Sequence, residues 1–140
     1  MNFLAPWSSQ LLSVMRIATA LVFLQHPAAK FLATPDIGIH GLMPWVWPYG
    51  IAGSIETVFG LLLFFGLFSR IAAFILSGEM AFAYFIEHFP HSFYPLVNDG
   101  ALAIVFCFGC LYLAAAGGGP LSLDALLRGK TAHETGVSRS

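Results

Sequence analysis

Four apolar stretches, at about 11–32, 46–68, 71–89 and 96–116, constrain this chain of 140 residues more than any motif in it. A bilayer's hydrocarbon core is about 30 Å thick, and a helix rising about 1.5 Å per residue crosses it in roughly 20 residues. Each stretch comes close to that length. The composition agrees, with 58% hydrophobic residues, 9% charged residues and a mean hydropathy of +0.80. Soluble domains carry about 25% charged residues, because that surface keeps them in water. The scarcity of charge excludes a soluble enzyme domain, a disordered tail and a nucleic-acid binder, which needs a basic footprint. Alternating apolar–polar strands are absent, so the stretches read as helices. The expected fold is an all-α membrane protein, a four-transmembrane-helix bundle over residues 1–120, with 121–140 as a short interfacial segment and polar tail.

The connections add detail. Residues 33–44 form the longest internal loop, broken by Pro35, Gly38, Gly41 and Pro44. Trp45, Trp47 and Tyr49 suit the membrane interface at the start of the second span. Ser69-Arg70 is so short a link that the second and third spans should form an antiparallel hairpin. Ser122 to Arg128 reads as an interfacial helix. Arg16, Arg70, Arg128, Lys130 and Arg139 fall on the terminal side and only Lys30 on the other. The positive-inside rule then puts both termini in the cytoplasm of a bacterial-type inner membrane. Arg16 and Arg70 read as anchors of that topology. The first stretch lacks the basic start and cleavage site of a secretory signal, so it is expected to remain as a span.

Ionisable side chains inside such spans are costly and usually face protein. The first span holds Gln25, His26 and Lys30, the second Glu56, and the third Glu79, Glu87 and His88. Asn98 and Asp99 open the fourth. His26 and Lys30, four apart, share a helical face. With the chain direction fixed, most of these residues collect in the outer half, as a candidate polar pocket around Lys30 and several carboxylates. Residues near helix ends (Lys30, Glu87, His88, Asp99) could equally snorkel to water. Glu56 has no end to reach, and Gly53 and Gly60 on its face admit a close neighbour. Pro27 should kink the first span and free the carbonyl of Phe23.

Cys107-Phe108-Gly109-Cys110 has the spacing of a dithiol redox motif, and such a pair could pass electrons to a membrane quinone. The same residues also fit as small apolar packing, because buried thiols react poorly. The chain shows no metal, haem or flavin motif, so a redox role calls on a quinone, the cysteine pair or a partner protein.

Four segments in order resemble the DoxX/DoxD-like membrane proteins, from Arg16 to Asp124. They are Arg16 with the apolar run to His26 and Lys30; Gly53-x-x-Glu56 followed by Gly66-Leu67-x-x-Arg70-x-Ala72-Ala73; Asn98-Asp99-Gly100; and Gly118-Gly119-Pro120-Leu121-Ser122-Leu123-Asp124. Pro27 stands where a small glycine is usual, and Ala101 where the family often has Glu. The resemblance implies a four-helix inner-membrane protein, since some members are subunits of a thiosulfate:quinone oxidoreductase and others join thiol and oxidative-stress complexes. The expectation is a quinone-linked oxidoreductase subunit acting on a small sulfur compound or thiol. Glu56, Lys30, His26, Asp99, Cys107 and Cys110 would carry the chemistry, and Glu56, Lys30, Glu79, His88 and Asn98 would bind the quinone. The alternative is a non-catalytic anchor or stabilising partner of redox or membrane proteins. The lipid bilayer is the expected environment, nucleic acid is not a partner, and a homo-oligomer stays open.

Overall fold

The computed structural model describes residues 3–32 and 49–129. The 33–44 loop, the interfacial Trp45 and Trp47, and the basic residues Lys130 and Arg139 lie outside the described residues. Among the described residues the chain is helical and contains no strand. A 3-10 turn (Ala5–Trp7) leads into α1, Ser8–Leu32; α2 is Tyr49–Phe65 and α3 is Ser69–Ala83. A π-helical turn, Tyr84–His88, prolongs α3, and α4 follows at Ala101–Ala116. Residues 123–129 form α5, which matches the short helix expected at that place. α1 packs on α2 and α3 on α4, with α2 against α3 joining the pairs.

Helix ends follow local chemistry. α2 stops at Phe65 because Gly66, at φ 71°, turns left-handed. Gly66 N then donates to Leu63 O at 3.2 Å and Leu67 N to Leu62 O at 2.9 Å, which is the paired closure of a glycine-terminated helix. The span expected at about 46–68 therefore ends early, and the hairpin turn uses 66–68. Pro27 lies within α1, which continues through it, and its ring faces the interior. α4 begins five residues later than expected. Asn98 Oδ1 accepts from Gly100 N at 2.8 Å and Asp99 sits at φ 58°, so this stretch forms a turn. Short polar side chains compete with helix in this way.

The core is small and tightly stepped. Ala20 and Phe23 of α1, Leu63 of α2, Ala72, Ala73 and Leu76 of α3, and Cys110 and Leu113 of α4 form one cluster. Phe23 meets Phe106 with ring centroids 5.2 Å apart, which carries α1 across to α4. A Cβ on Gly60 would stand 3.1 Å from Leu24, so α1 and α2 touch there backbone to side chain. This is the close approach that the Gly53/Gly60 face predicts.

Polarity is distributed inside-out. Ser13, Arg16, Glu56, Ser69, Ser77, Asn98 and Ser122 are buried, whereas Leu11, Val58, Phe74, Phe85, Val105 and Phe108 are exposed. Water-soluble monomers do not present apolar faces of this extent. The segments Ala5–Ala29 and Ser69–His88 are long and apolar enough to cross a bilayer; Gly50–Phe65 and Ala101–Ala116 are apolar but shorter.

The end of the molecule where α1 starts is closed by charged side chains. Arg16 is only 1% exposed. Its Nε donates to Gly118 O at 2.9 Å, Nη1 to the Leu63 and Phe64 carbonyls, and Nη2 to Leu121 O at 2.5 Å. Arg70 donates to the last carbonyls of α4, at Ala114, Ala115 and Ala116. Asp124 accepts from the first amides of α3, Phe68 N and Ser69 N, each at 2.8 Å. Arginines on C-terminal carbonyls and an aspartate on N-terminal amides all complement helix dipoles. Ser13 ties the same segment, accepting from Leu121 N at 3.2 Å. Gly119 has φ 72° and lies so close to Ser13 Oγ that no side chain fits there. The expectation that Arg16 and Arg70 are interface anchors holds only in part, because both are spent on backbone carbonyls.

Arg16→Gln is expected to lower stability by about 3 kcal/mol or more, since several buried carbonyls lose a charged donor at once. Thermal unfolding of the detergent-purified protein reads this directly, and an unchanged midpoint would contradict the arrangement. Burial pushes the Asp124 carboxyl up, but the Ser69 and Phe68 amides and the Arg128 charge outweigh it and hold it below the usual range. Its contribution is complete above the unfolded value of about 3.9 and is lost as pH falls through the lower folded value. Asp124→Asn should therefore unfold earlier than wild type at pH 7, with the gap closing towards pH 3.

Candidate functional site

Glu56 is the most deeply placed acidic residue, at 3% exposed. Gly53, Glu56, Gly60 and Leu63 recur every three or four residues and form the buried stripe of α2. The matching stripe on α1 is Ser13, Arg16, Ala20, Phe23 and Pro27. The two helices run antiparallel in a fixed register. Arg16 reaches Leu63 and Phe64, and Phe23 and Leu24 meet Gly60. One turn further along, that register brings Glu56 level with Pro27. Pro27 has no amide hydrogen, so the Phe23 carbonyl loses its donor within the helix. Lys30 lies in the next turn of α1, towards Gly53; its side chain is outside the described residues.

Other sequence-predicted residues lie elsewhere. His26 is exposed, and its Nδ1 lies 3.2 Å from the carbonyl of Val22 on its own helix. A carbonyl only accepts, so the ring contact is local, and His26 is turned away from the buried stripe of α1. Asp99 is exposed in its left-handed turn. Glu79 is on α3 with both carboxylate oxygens shielded from solvent, within electrostatic reach of Cys110. Cys107 is half-buried, Cys110 is buried, and both thiols are free. Ser77 Oγ donates to Cys107 O at 2.8 Å and lies 3.6 Å from Cys107 Sγ. The pair therefore faces α3, with Ser77 as a neighbour that sequence reasoning missed.

At the far end, His88 and Asn98 do converge. His88 Nδ1 donates to Asn98 O at 2.9 Å, and the ring stacks on Tyr84 with centroids 6.5 Å apart. Asn98 is buried and donates to Ser92 O at 2.7 Å. Its amide is thus committed to fixing the loop. Among the described residues no group of three or more His, Cys, Asp or Glu is disposed to hold a metal ion.

Sequence reasoning also missed Arg16 as a structural centre. Its signal was its position: it is well inside α1, too far from the helix start to serve only as an end anchor. Ser122 and Asp124 were legible as parts of a family-like pattern, and Ser13 was not singled out.

An apolar exterior, with buried polar side chains bonded inside, defines an α-helical protein suited to lipid. The comparisons then identify it more closely. A DoxX family profile matches residues 11–89, and the chain belongs to the DoxX family of membrane proteins. It is 40% identical over 131 residues to a protein of Haemophilus influenzae (strain ATCC 51907 / DSM 11121 / KW20 / Rd) described as "Uncharacterized protein". That match covers 89% of this chain and 96% of the relative. No solved structure matches the chain significantly.

Asn98→Ala should cost about 1–3 kcal/mol, because the Ser92 carbonyl and Gly100 amide each lose a partner. The same thermal assay measures it, and Asn98→Asp should restore only the contact to Gly100.

Proposed function

We propose that this chain spans the inner membrane four times with both termini in the cytoplasm, and acts as the membrane subunit of a quinone-linked oxidoreductase handling a small sulfur compound or thiol. The observation that carries this reading is Glu56, a carboxylate 3% exposed in the middle of an apolar helix. An ionisable group at such a depth costs about 2.5–3.5 kcal/mol on insertion scales. What it offers in return is a proton at a depth water does not reach, which suits a substrate whose reduction takes up protons with electrons.

The surroundings fit a quinone. The contact of Gly60 with Leu24 closes α1 against α2 one turn below Glu56 and Pro27, and a head group would enter at that level. There the Phe23 carbonyl would accept from a hydroxyl. Glu56 would give and take the proton; Lys30 would orient. Glu79 and the Cys107–Cys110 pair lie between α3 and α4; there the pair would be oxidised to a disulfide by the quinone, which becomes quinol, and a thiol donor would reduce it back to the dithiol and leave as its own disulfide. His88 and Asn98 would hold the mouth of the site.

A stabilising partner of other redox proteins is the second reading. It is favoured by His26, an exposed imidazole on the outer face of α1, and by apolar Leu126 and Leu127 on the outside of α5.

Binding of a short-chain ubiquinone to the purified protein separates the two. Wild type should bind saturably, and Glu56→Gln and Lys30→Ala should each weaken binding at least tenfold. If Glu56→Gln binds as wild type does, the quinone reading is overturned and the partner reading takes its place.

A further inference from the structure

The segment joining α3 to α4 does not simply cap the far end. Ser69–His88 has 20 residues and Ala101–Ala116 has 16, about 30 Å and 24 Å of helix. Their near ends are level, since Arg70 reaches the carbonyls of Ala114 and Ala116 at 3.1 and 3.4 Å. The far ends are therefore offset by about 6 Å, four residues of rise. The contacts agree. Gly100, just before α4, lies against the ring of Tyr84, one turn before His88. Having left α3 at His88, the chain must come back along it before α4 can begin.

That returning segment is apolar outside and closed inside. Leu96 is 89% and Val97 70% exposed, with Phe93 and Tyr94 also exposed. These side chains continue the apolar outer faces of α3 at Phe82 and Phe85 and of α4 at Leu102 and Val105. Several of its polar groups bond within the segment or back to α3. Phe89 N donates to Tyr84 O at 2.8 Å, Val97 N and Asn98 N donate to Tyr94 O at 2.9 and 3.0 Å, and Asn98 Nδ2 donates to Ser92 O at 2.7 Å. Irregular backbone tolerates membrane depth only when its hydrogen bonds are met by protein. A loop built for water has no need of either feature.

We propose that residues 93–97 form a re-entrant elbow that inserts into the outer leaflet, with Leu96 and Val97 among acyl chains and Phe93 and Tyr94 at headgroup level. Exposed Asp99, two residues past Val97, keeps the foot of the elbow no deeper than the upper acyl region. Aromatic rings prefer that boundary because one edge is apolar and the other tolerates water. The elbow lets a short α4 match the bilayer without thinning it. The inference rests on the spanning topology proposed above.

The test is a nitroxide attached through p-acetylphenylalanine at position 96 in the otherwise wild-type chain, reconstituted in vesicles of phosphatidylethanolamine and phosphatidylglycerol. Leu96 touches so little protein that the label should not disturb folding. The same label at Phe74, mid-α3, serves as a lipid reference and at His91 as an aqueous one. Position 96 is expected to collide with oxygen several-fold more than with nickel–EDDA, as at 74, while 91 shows the reverse. Nickel access at 96 with lipid-like behaviour at 74 would overturn the elbow and leave the topology intact. Low access to both quenchers at 96 would overturn it too, by showing a protein surface over the loop. An aqueous signal at 74 would overturn the spanning topology itself, and the elbow with it.

Discussion

A polypeptide whose outer surface is apolar has to satisfy its polar groups internally, and Arg16 is where this constraint is met most completely. Its guanidinium is buried 102 residues away in sequence from Gly118, yet it donates to that residue, to the end of α2 and to Leu121. Unpaired, a buried guanidinium would cost several kcal/mol. Surrounded by carbonyls, it instead holds α1, α2 and the segment after α4 in one arrangement. Arg70 and Asp124 extend the same logic to the end of α4 and the start of α3. The ends of α2 and α4 and the start of α3 are each met by a side chain from elsewhere in the chain.

The register that Arg16 fixes determines what the rest of α1 and α2 can do. With Gly60 seated on Leu24, Glu56 falls level with Pro27, where α1 lacks a hydrogen-bond donor. A proline and a buried carboxylate thus share one level of the helix pair. The chemistry proposed for the protein depends on that coincidence. The far end follows another rule, with Asn98, Ser92 and Tyr94 satisfying a loop whose side chains are apolar.

Much of this was legible in the sequence because it depends on local or one-dimensional properties. Helix lengths and the membrane character follow from runs of apolar residues. The small-residue face follows from Gly53 and Gly60, whereas the end of α2 at Gly66 came earlier than the apolar run suggests. The family was readable from four ordered segments. The start of α4 was not, because Asn98 prefers its own turn to the helix that an apolar run from Leu96 suggests. His26 was expected to share the polar pocket and Asp99 either to join it or to reach water, and both are exposed. A helical wheel gives relative angles between side chains but no absolute orientation.

The sequence alone determined that the chain is helical, lipid-compatible and of the DoxX type, since transfer free energy and helix periodicity are properties of short segments. Only the tertiary structure decided which polar residues are spent on holding the helices together. Arg16 and Asp124 look like surface charges in one dimension and become helix caps in three. Glu56 looks like one carboxylate among several and becomes the one beside a broken helical hydrogen bond. Those assignments depend on partners far apart in the chain, and such partners exist only once the helices have packed.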